Sequence, residues 1–132
     1  MKAIFDQISD SCSKHITKTY STSFSLGINF LSKKFHNPIY GIYGFVRAAD
    51  EIVDSFHDFD KEKLMAKFRS DTVDAIEDRI SLNPILNSFQ NAVHAFNISW
   101  YSIDTFLKSM EMDLNPTLYK EDNYKQYIVG SA

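Results

Sequence analysis

Two aspartates one helical turn apart, Asp50 and Asp54, are the residues of this sequence best suited to hold a metal ion. Side chains at positions i and i+4 are neighbours on a helix surface, about 5–6 Å apart. Two carboxylates at this spacing repel each other unless a cation lies between them, and Mg²⁺ prefers one or two carboxylates together with phosphate oxygens and water. A solvated acidic face with an intrahelical ion pair has the same spacing, so spacing alone leaves both interpretations open.

The helix predicted to carry this pair spans residues 38–56 and has two distinct sides at about 100° per residue. Its apolar stripe consists of Ile42, Phe45, Val46, Ala49, Val53 and Phe56. The opposite, polar side carries Tyr40, Tyr43, Arg47, Asp50, Glu51 and Asp54. Glycine inside a helix costs roughly 1 kcal/mol relative to alanine, so Gly41 and Gly44 between the two sides suggest that something approaches this helix closely. Arg47, one turn before Asp50, is placed to pair with an aspartate or a phosphate.

Four ordered segments resemble squalene and phytoene synthases. Residues 43–54, YGFVRAADEIVD, resemble the first aspartate-rich motif of that family, Y-x-x-x-R-x-x-D-[DE]-x-x-D. Residues 20–24, YSTSF, resemble its S-x-S-F segment. Residues 110–114, MEMDL, are similar to its G-M-x-x-D-L stretch, with Ser109 where glycine is usual. Residues 127–132, YIVGSA, resemble the start of its Y-x-x-x-V-A-G helix, with Ser131 at the valine position.

The resemblance implies an all-α, isoprenoid-synthase-type helical bundle. Residues 1–132 would be the amino-terminal part of a single such domain, truncated after the first five or six helices. The implied activity is that of a transferase, which condenses two prenyl diphosphates head-to-head and releases pyrophosphate. Farnesyl or geranylgeranyl diphosphate would be the substrate, and phytoene, squalene or dehydrosqualene the product. Between these products we favour phytoene, of the carotenoid type; NADPH would be required only if the product is squalene.

The resemblance also assigns roles to individual residues. It implies that Asp50 and Asp54 bind Mg²⁺. The residues implied to bind the substrate are Ser21, Ser23, Phe24 and Arg47, of which Phe24 would line an apolar tunnel and the others would hold phosphate oxygens. The residues implied to take part in catalysis are Tyr43, Arg47 and Tyr127. The two tyrosines would flank the reacting carbons, because aromatic faces stabilise a cation without trapping it.

One part of the family pattern is missing, namely a second aspartate-rich motif, D-x-x-x-D, on a later helix. Asp74 and Asp78 have the spacing, but they lie on the charged side of a helix over residues 64–80, where we expect a solvated surface. We therefore expect these 132 residues alone to be inactive. Two alternatives remain: a non-catalytic helical bundle that binds an isoprenoid or a partner, and a terpene cyclase or chain-elongating prenyltransferase.

Composition restricts the class of protein further. With 44% hydrophobic residues the chain can bury a sizeable core, and its net charge of −3 argues against a nucleic-acid partner. Cys12, the one cysteine, excludes an internal disulfide and fits a reducing compartment. The uncharged stretch 81–103 contains several Asn residues and Pro84, which make it costly to place across a bilayer. We expect a cytoplasmic protein that associates with a membrane at most peripherally.

Helical spacing of apolar residues dominates the rest of the chain. The first predicted stripe consists of Phe5, Ile8, Cys12, His15 and Ile16; the stripes before and after Asn83 consist of Leu64, Phe68, Thr72, Ile76, Ile80 and of Ile85, Phe89, Val93, Phe96. The Asn37-Pro38 and Asn83-Pro84 pairs predict helix starts, with Asn as N-cap and Pro as the first helical residue. Trp100 is predicted to lie in the core.

Overall fold

One central helix contacts every other long helix in the part of the chain that the structure, a computed structural model, describes, which is residues 1–114. The elements in chain order are α1 (Lys2–Tyr20), α2 (Thr22–Ile28), a 3₁₀ turn (Lys33–Phe35), α3 (His36–Asp54), α4 (Lys61–Asp78), α5 (Pro84–Phe96) and α6 (Trp100–Leu114). The central helix is α3, which packs on α1, α4, α5 and α6. Residues 1–114 contain six α-helices and no strand, which confirms the all-α prediction.

One of the two predicted Asn-Pro helix starts is correct and the other is wrong. The Oδ1 of Asn83 accepts the N–H groups of Ile85 at 2.9 Å and Leu86 at 3.3 Å, and Pro84 is the first residue of α5. Helix α3 instead begins at His36, so Pro38 lies inside its first turn. The 3₁₀ turn leads directly into α3, and first-turn N–H groups have no intrahelical partner, so proline removes no helical hydrogen bond there.

The apolar core lies where α3, α4, α5 and α6 meet. Phe45 stacks on Phe89 with 3.8 Å between ring centroids, and on Phe68 at 5.1 Å. The predicted stripes of α4 and α5 are confirmed in their centres, since Phe68, Phe89 and Val93 are buried. The core prediction for Trp100 is wrong, because this residue begins α6 and is 43% exposed.

Helix α3 comes unusually close to α1 and α5 at its two glycines. A Cβ added at Gly41 would lie 2.7 Å from the carbonyl oxygen of Ser88, and one at Gly44 would lie 2.9 Å from the Oγ of Ser13. The partners that the glycines predicted are therefore neighbouring helices of the same chain. Tyr40, predicted on the polar side of α3, is only 2% exposed, because the close contact turns this side of the helix inwards.

The predicted stripe of α1 is only partly correct: Phe5, Cys12 and Ile16 are partly buried, but the most deeply buried side chains of this helix are small hydroxyls. Ser9, Ser13 and Thr17 are fully buried, whereas Ile8 is 51% exposed. Thr17 donates to the carbonyl of Ser13 at 2.9 Å, and Ser9 accepts from the side-chain amide of Asn87 in α5 at 3.0 Å. Buried polar groups with such partners cost little, and their small size allows the helices to approach.

A Gly41→Ala substitution should destabilise the protein by about 1–3 kcal/mol, since the new methyl group meets backbone that cannot move cheaply. Gly27→Ala is the matched control, because nothing lies within 4 Å of its added Cβ. There the higher helix propensity of alanine should leave the free energy of unfolding unchanged or raise it by up to about 1 kcal/mol. Urea unfolding of both variants measures the difference, and equal values would contradict the close-packing account.

Candidate active site

Helix α2 begins at a serine cap and contacts α3 through an aromatic stack. The backbone of Ser21 is extended, which ends α1, and its Oγ accepts the N–H of Phe24 at 3.2 Å to begin α2. The ring of Phe24 then stacks on Tyr43 of α3, with centroids 5.1 Å apart and planes at 28°. The structure thus brings Ser21, Phe24 and Tyr43 together, although the two segments are separated by about twenty residues.

Arg47 lies one turn further along α3 and is fixed on two sides. Its guanidinium carbon lies 4.5 Å from the ring centre of Tyr20, a cation–π contact. Its Nε donates to Glu51 Oε1 at 3.0 Å, and Nη2 binds the same oxygen. Partial burial disfavours the charge, but the hydrogen bond and charge of Glu51 raise the pKa of Arg47 overall. Arg47 therefore stays cationic.

Two residues of this arrangement, Tyr20 and Glu51, are missing from the predicted site. Glu51 replaces an aspartate as the hydrogen-bonded partner of Arg47, and the i, i+4 spacing of Arg47 and Glu51 could have indicated it. Tyr20 belongs to the quoted YSTSF segment, but its position over Arg47 depends on how α1 crosses α3. Sequence spacing carries no signal for that crossing.

Asp50 and Asp54 lie in the last two turns of α3. Asp50 is partly buried, and this burial raises its pKa, as do the negative charges of Asp54 and of Asp113 on α6, while Arg47 opposes the shift. Asp54 is exposed and is the last residue of the helix, whose final turn contains no basic residue. The carboxyl end of a helix carries partial negative charge. Negative charge therefore accumulates around Asp50, and the ammonium group of Lys61, which donates to the carbonyl of Val53, offsets part of it at this end of α3.

The chemistry of these residues fits a magnesium ion that takes some of its ligands from the protein and the others from a bound phosphate group. Among residues 1–114 no cluster of three or more His, Cys, Asp or Glu side chains could hold a metal by itself. Mg²⁺ usually takes only one or two protein carboxylates and completes its shell with phosphate oxygens and water. Two adjacent carboxylates in a locally negative environment match that requirement, and Asp50 and Asp54 would be the ligands.

An open groove of about 650 Å³ runs between α2 and the start of α3. Its lining residues combine two hydroxyls with an apolar surface: Ser21, Ser23, Phe24, Gly27, Ile28, Leu31 and Ile39. All three α2-segment residues predicted to bind substrate, Ser21, Ser23 and Phe24, therefore face one space. A long apolar chain with a polar head has the matching chemistry.

Two further predictions concern residues that are not among those around Tyr43, Arg47 and Asp50. Tyr127 lies beyond residues 1–114, so the structure does not describe it. Asp74 and Asp78, which have the spacing of an aspartate-rich motif, are exposed on α4, as expected for a solvated surface. They do not join the residues around Tyr43.

The structure is thus a helical bundle whose central helix carries an arginine and two aspartates towards its carboxyl end and borders an apolar groove at its amino end. Residues 17–132 match the squalene/phytoene synthase family, and the chain belongs to this family. The match includes the YSTSF segment and the whole aspartate-bearing helix. A comparison with curated proteins finds no match. Within residues 1–114, no helix is both long and apolar enough to cross a membrane.

The stack of Phe24 on Tyr43 should be measurable as a coupling between α2 and α3. In a double-mutant cycle with Phe24→Leu and Tyr43→Leu, we expect an interaction free energy of about 0.5–1.5 kcal/mol, the range for aromatic pairs. Pairing Phe24→Leu with Phe59→Leu in the α3–α4 connection is the control, which should be additive within about 0.5 kcal/mol. Urea unfolding provides all the values. A cycle at Phe24 and Tyr43 that is as additive as the control would show that the stack does not hold α2.

Proposed function

We propose that the intact protein is a prenyltransferase that condenses two prenyl diphosphates head-to-head and releases pyrophosphate. One observation carries this proposal: the stack of Phe24 on Tyr43 joins the hydroxyl-bearing α2 segment to the helix that carries Asp50 and Asp54. Asp50 lies two turns, about 10 Å, further along α3 than Tyr43, so a diphosphate that extends from those hydroxyls past Arg47 would bring its metal ion to the carboxylates. Membership of the squalene/phytoene synthase family supports the same reaction class.

The hydroxyls of the α2 segment are suited to contact phosphate oxygens. The Oγ of Ser21 accepts the N–H of Phe24, and a serine hydroxyl that accepts still has its own proton to donate. Ser23 is exposed on the groove wall and has the same capacity. Both would donate to the diphosphate, and Phe24 would contact the start of the prenyl chain.

Arg47 would supply the positive charge on the protein side. A guanidinium has five N–H donors, and Glu51 engages Nε and Nη2, so donors on Nη1 remain for a phosphate oxygen. The contacts with Glu51 and Tyr20 hold the guanidinium in place before substrate arrives. Such preorganisation reduces the cost of binding.

The reaction requires a leaving pyrophosphate and a protected carbocation. Mg²⁺ bound by Asp50 and Asp54 would neutralise the charge of the departing pyrophosphate. The Tyr43 ring, and Tyr127 as a further proposal, would stabilise the cation through their aromatic faces. A prenyl chain that fills the open apolar groove would displace water that could quench the cation.

We propose farnesyl or geranylgeranyl diphosphate as the substrate. Phytoene is our first proposal for the product, and NADPH would be a cosubstrate only for squalene. We also propose that the protein is cytoplasmic and associates with a membrane at most peripherally.

Replacing both aspartates, Asp50→Asn with Asp54→Asn, should weaken binding of Mg²⁺ together with a prenyl thiodiphosphate by more than about 100-fold. Each charged contact contributes roughly 1.5–3 kcal/mol, and an amide leaves the metal without its anionic ligands. Isothermal titration of the intact protein measures the affinity. The control is Asp74→Asn with Asp78→Asn, which removes two carboxylates of the same spacing from the exposed face of α4 and should bind like the parent. If the Asp50 and Asp54 variant also binds like the parent, the proposed metal site is wrong.

A further inference from the structure

The connection from α2 to α3 presents apolar side chains to solvent. Phe30 is 91% exposed, Leu26 58% and Leu31 45%, and we call these three residues the apolar tip. The tip is ordered by backbone hydrogen bonds, from Phe30 N–H to the carbonyl of Gly27 at 3.1 Å and from Leu31 N–H to that of Ile28 at 2.9 Å. Exposed apolar residues held together in this way indicate an interaction surface.

The apolar tip lies within the positively charged part of the chain. Residues 11–49 contain no Asp or Glu but five Lys or Arg, although the whole chain has a net charge of −3. Lys33 and Lys34 follow the tip after a single residue, Ser32, and are both exposed. Phe35, next in the chain, stacks on the half-exposed Phe96 at the end of α5, which extends the apolar surface beside the lysines.

We propose that the apolar tip, with Lys33 and Lys34, docks the protein on an anionic membrane surface. Phe30 and Leu31 enter the boundary between headgroups and acyl chains, and the lysines remain among the anionic headgroups. Each lysine near such a surface contributes about 1 kcal/mol, and apolar side chains supply the remaining affinity. Charge complementarity favours lipid over a second copy of the chain, because two copies meeting at this tip would bring their lysines together.

The exposed aromatic residues beyond the carboxyl end of α3 lie among negative charges instead of positive ones. Phe59 is 68% exposed, but Asp58 and Asp60 flank it on both sides. An anionic surface would repel this segment. Exposure alone therefore does not identify the apolar tip as the docking surface. The combination of exposed apolar side chains with neighbouring lysines identifies it.

The proposed docking also places the groove beside the bilayer. Leu31 belongs both to the apolar tip and to the groove lined by Ser21, Ser23 and Phe24. On the function proposed above, prenyl chains would meet the membrane at the open side of this groove. The docking itself does not depend on that function.

Flotation of the intact protein with lipid vesicles tests the proposal. Vesicles of phosphatidylcholine with roughly one third phosphatidylglycerol should bind the protein, and pure phosphatidylcholine vesicles should bind it far less. Phe30→Ser should lower the partition coefficient on anionic vesicles by about tenfold, because a buried aromatic ring is lost. Lys33→Gln with Lys34→Gln should lower it by about 30-fold, because two lysine contacts are removed.

Matched variants make the outcomes decisive. Phe59→Ser removes another largely exposed aromatic residue, and Lys63→Gln with Lys67→Gln removes two exposed lysines of α4. Neither change should alter vesicle binding. Circular dichroism checks that all variants fold. The proposal is overturned if the tip variants and their controls bind vesicles equally, or if pure phosphatidylcholine binds as well as the anionic vesicles. It is also overturned if sedimentation shows a dimer that Phe30→Ser dissociates while vesicle binding is absent.

Discussion

The contact of Gly41 with the carbonyl of Ser88 fixes the rotation of the central helix, and the other features of the bundle follow from it. With Gly44 against Ser13, it leaves no space for even a methyl group between α3 and its neighbours α1 and α5. A helix held this closely on one side has only one rotational setting. Phe45, Ala49 and Ile52 consequently point into the core.

The same setting determines which residues remain available for chemistry. Tyr43 and Asp50, two turns apart, lie away from the α5 contact, where the ring of Phe24 reaches Tyr43 and Asp50 is only partly buried. Ile42, Val46 and Val53 are partly buried beside them. A small-residue contact on one side of α3 thus orients a polar and apolar surface on the other, and Phe24, which stacks on Tyr43, connects this surface to the groove.

The sequence predicts the class of fold and the motif well because both depend on local spacing. Apolar residues at helical intervals predicted the helices, and Asn83 with Pro84 predicted the start of α5. The errors concern side chains whose surroundings come from distant segments. Ser13 is buried because Ser88, 75 residues away, contacts it, and a pattern of hydrophobicity cannot indicate that partner. Tyr40 and Trp100 were misplaced for the same reason, since packing between helices determines their exposure.

Product stoichiometry tests the proposed reaction most directly. The intact protein, incubated with Mg²⁺, NADPH and geranylgeranyl or farnesyl diphosphate, should release two pyrophosphates for each hydrocarbon formed. Both substrate diphosphates are lost in a head-to-head condensation, which distinguishes it from chain elongation. Release of one pyrophosphate with a longer prenyl diphosphate as product would contradict the account in favour of an elongating enzyme. Binding of the substrate without any release of pyrophosphate would contradict it in favour of a non-catalytic bundle.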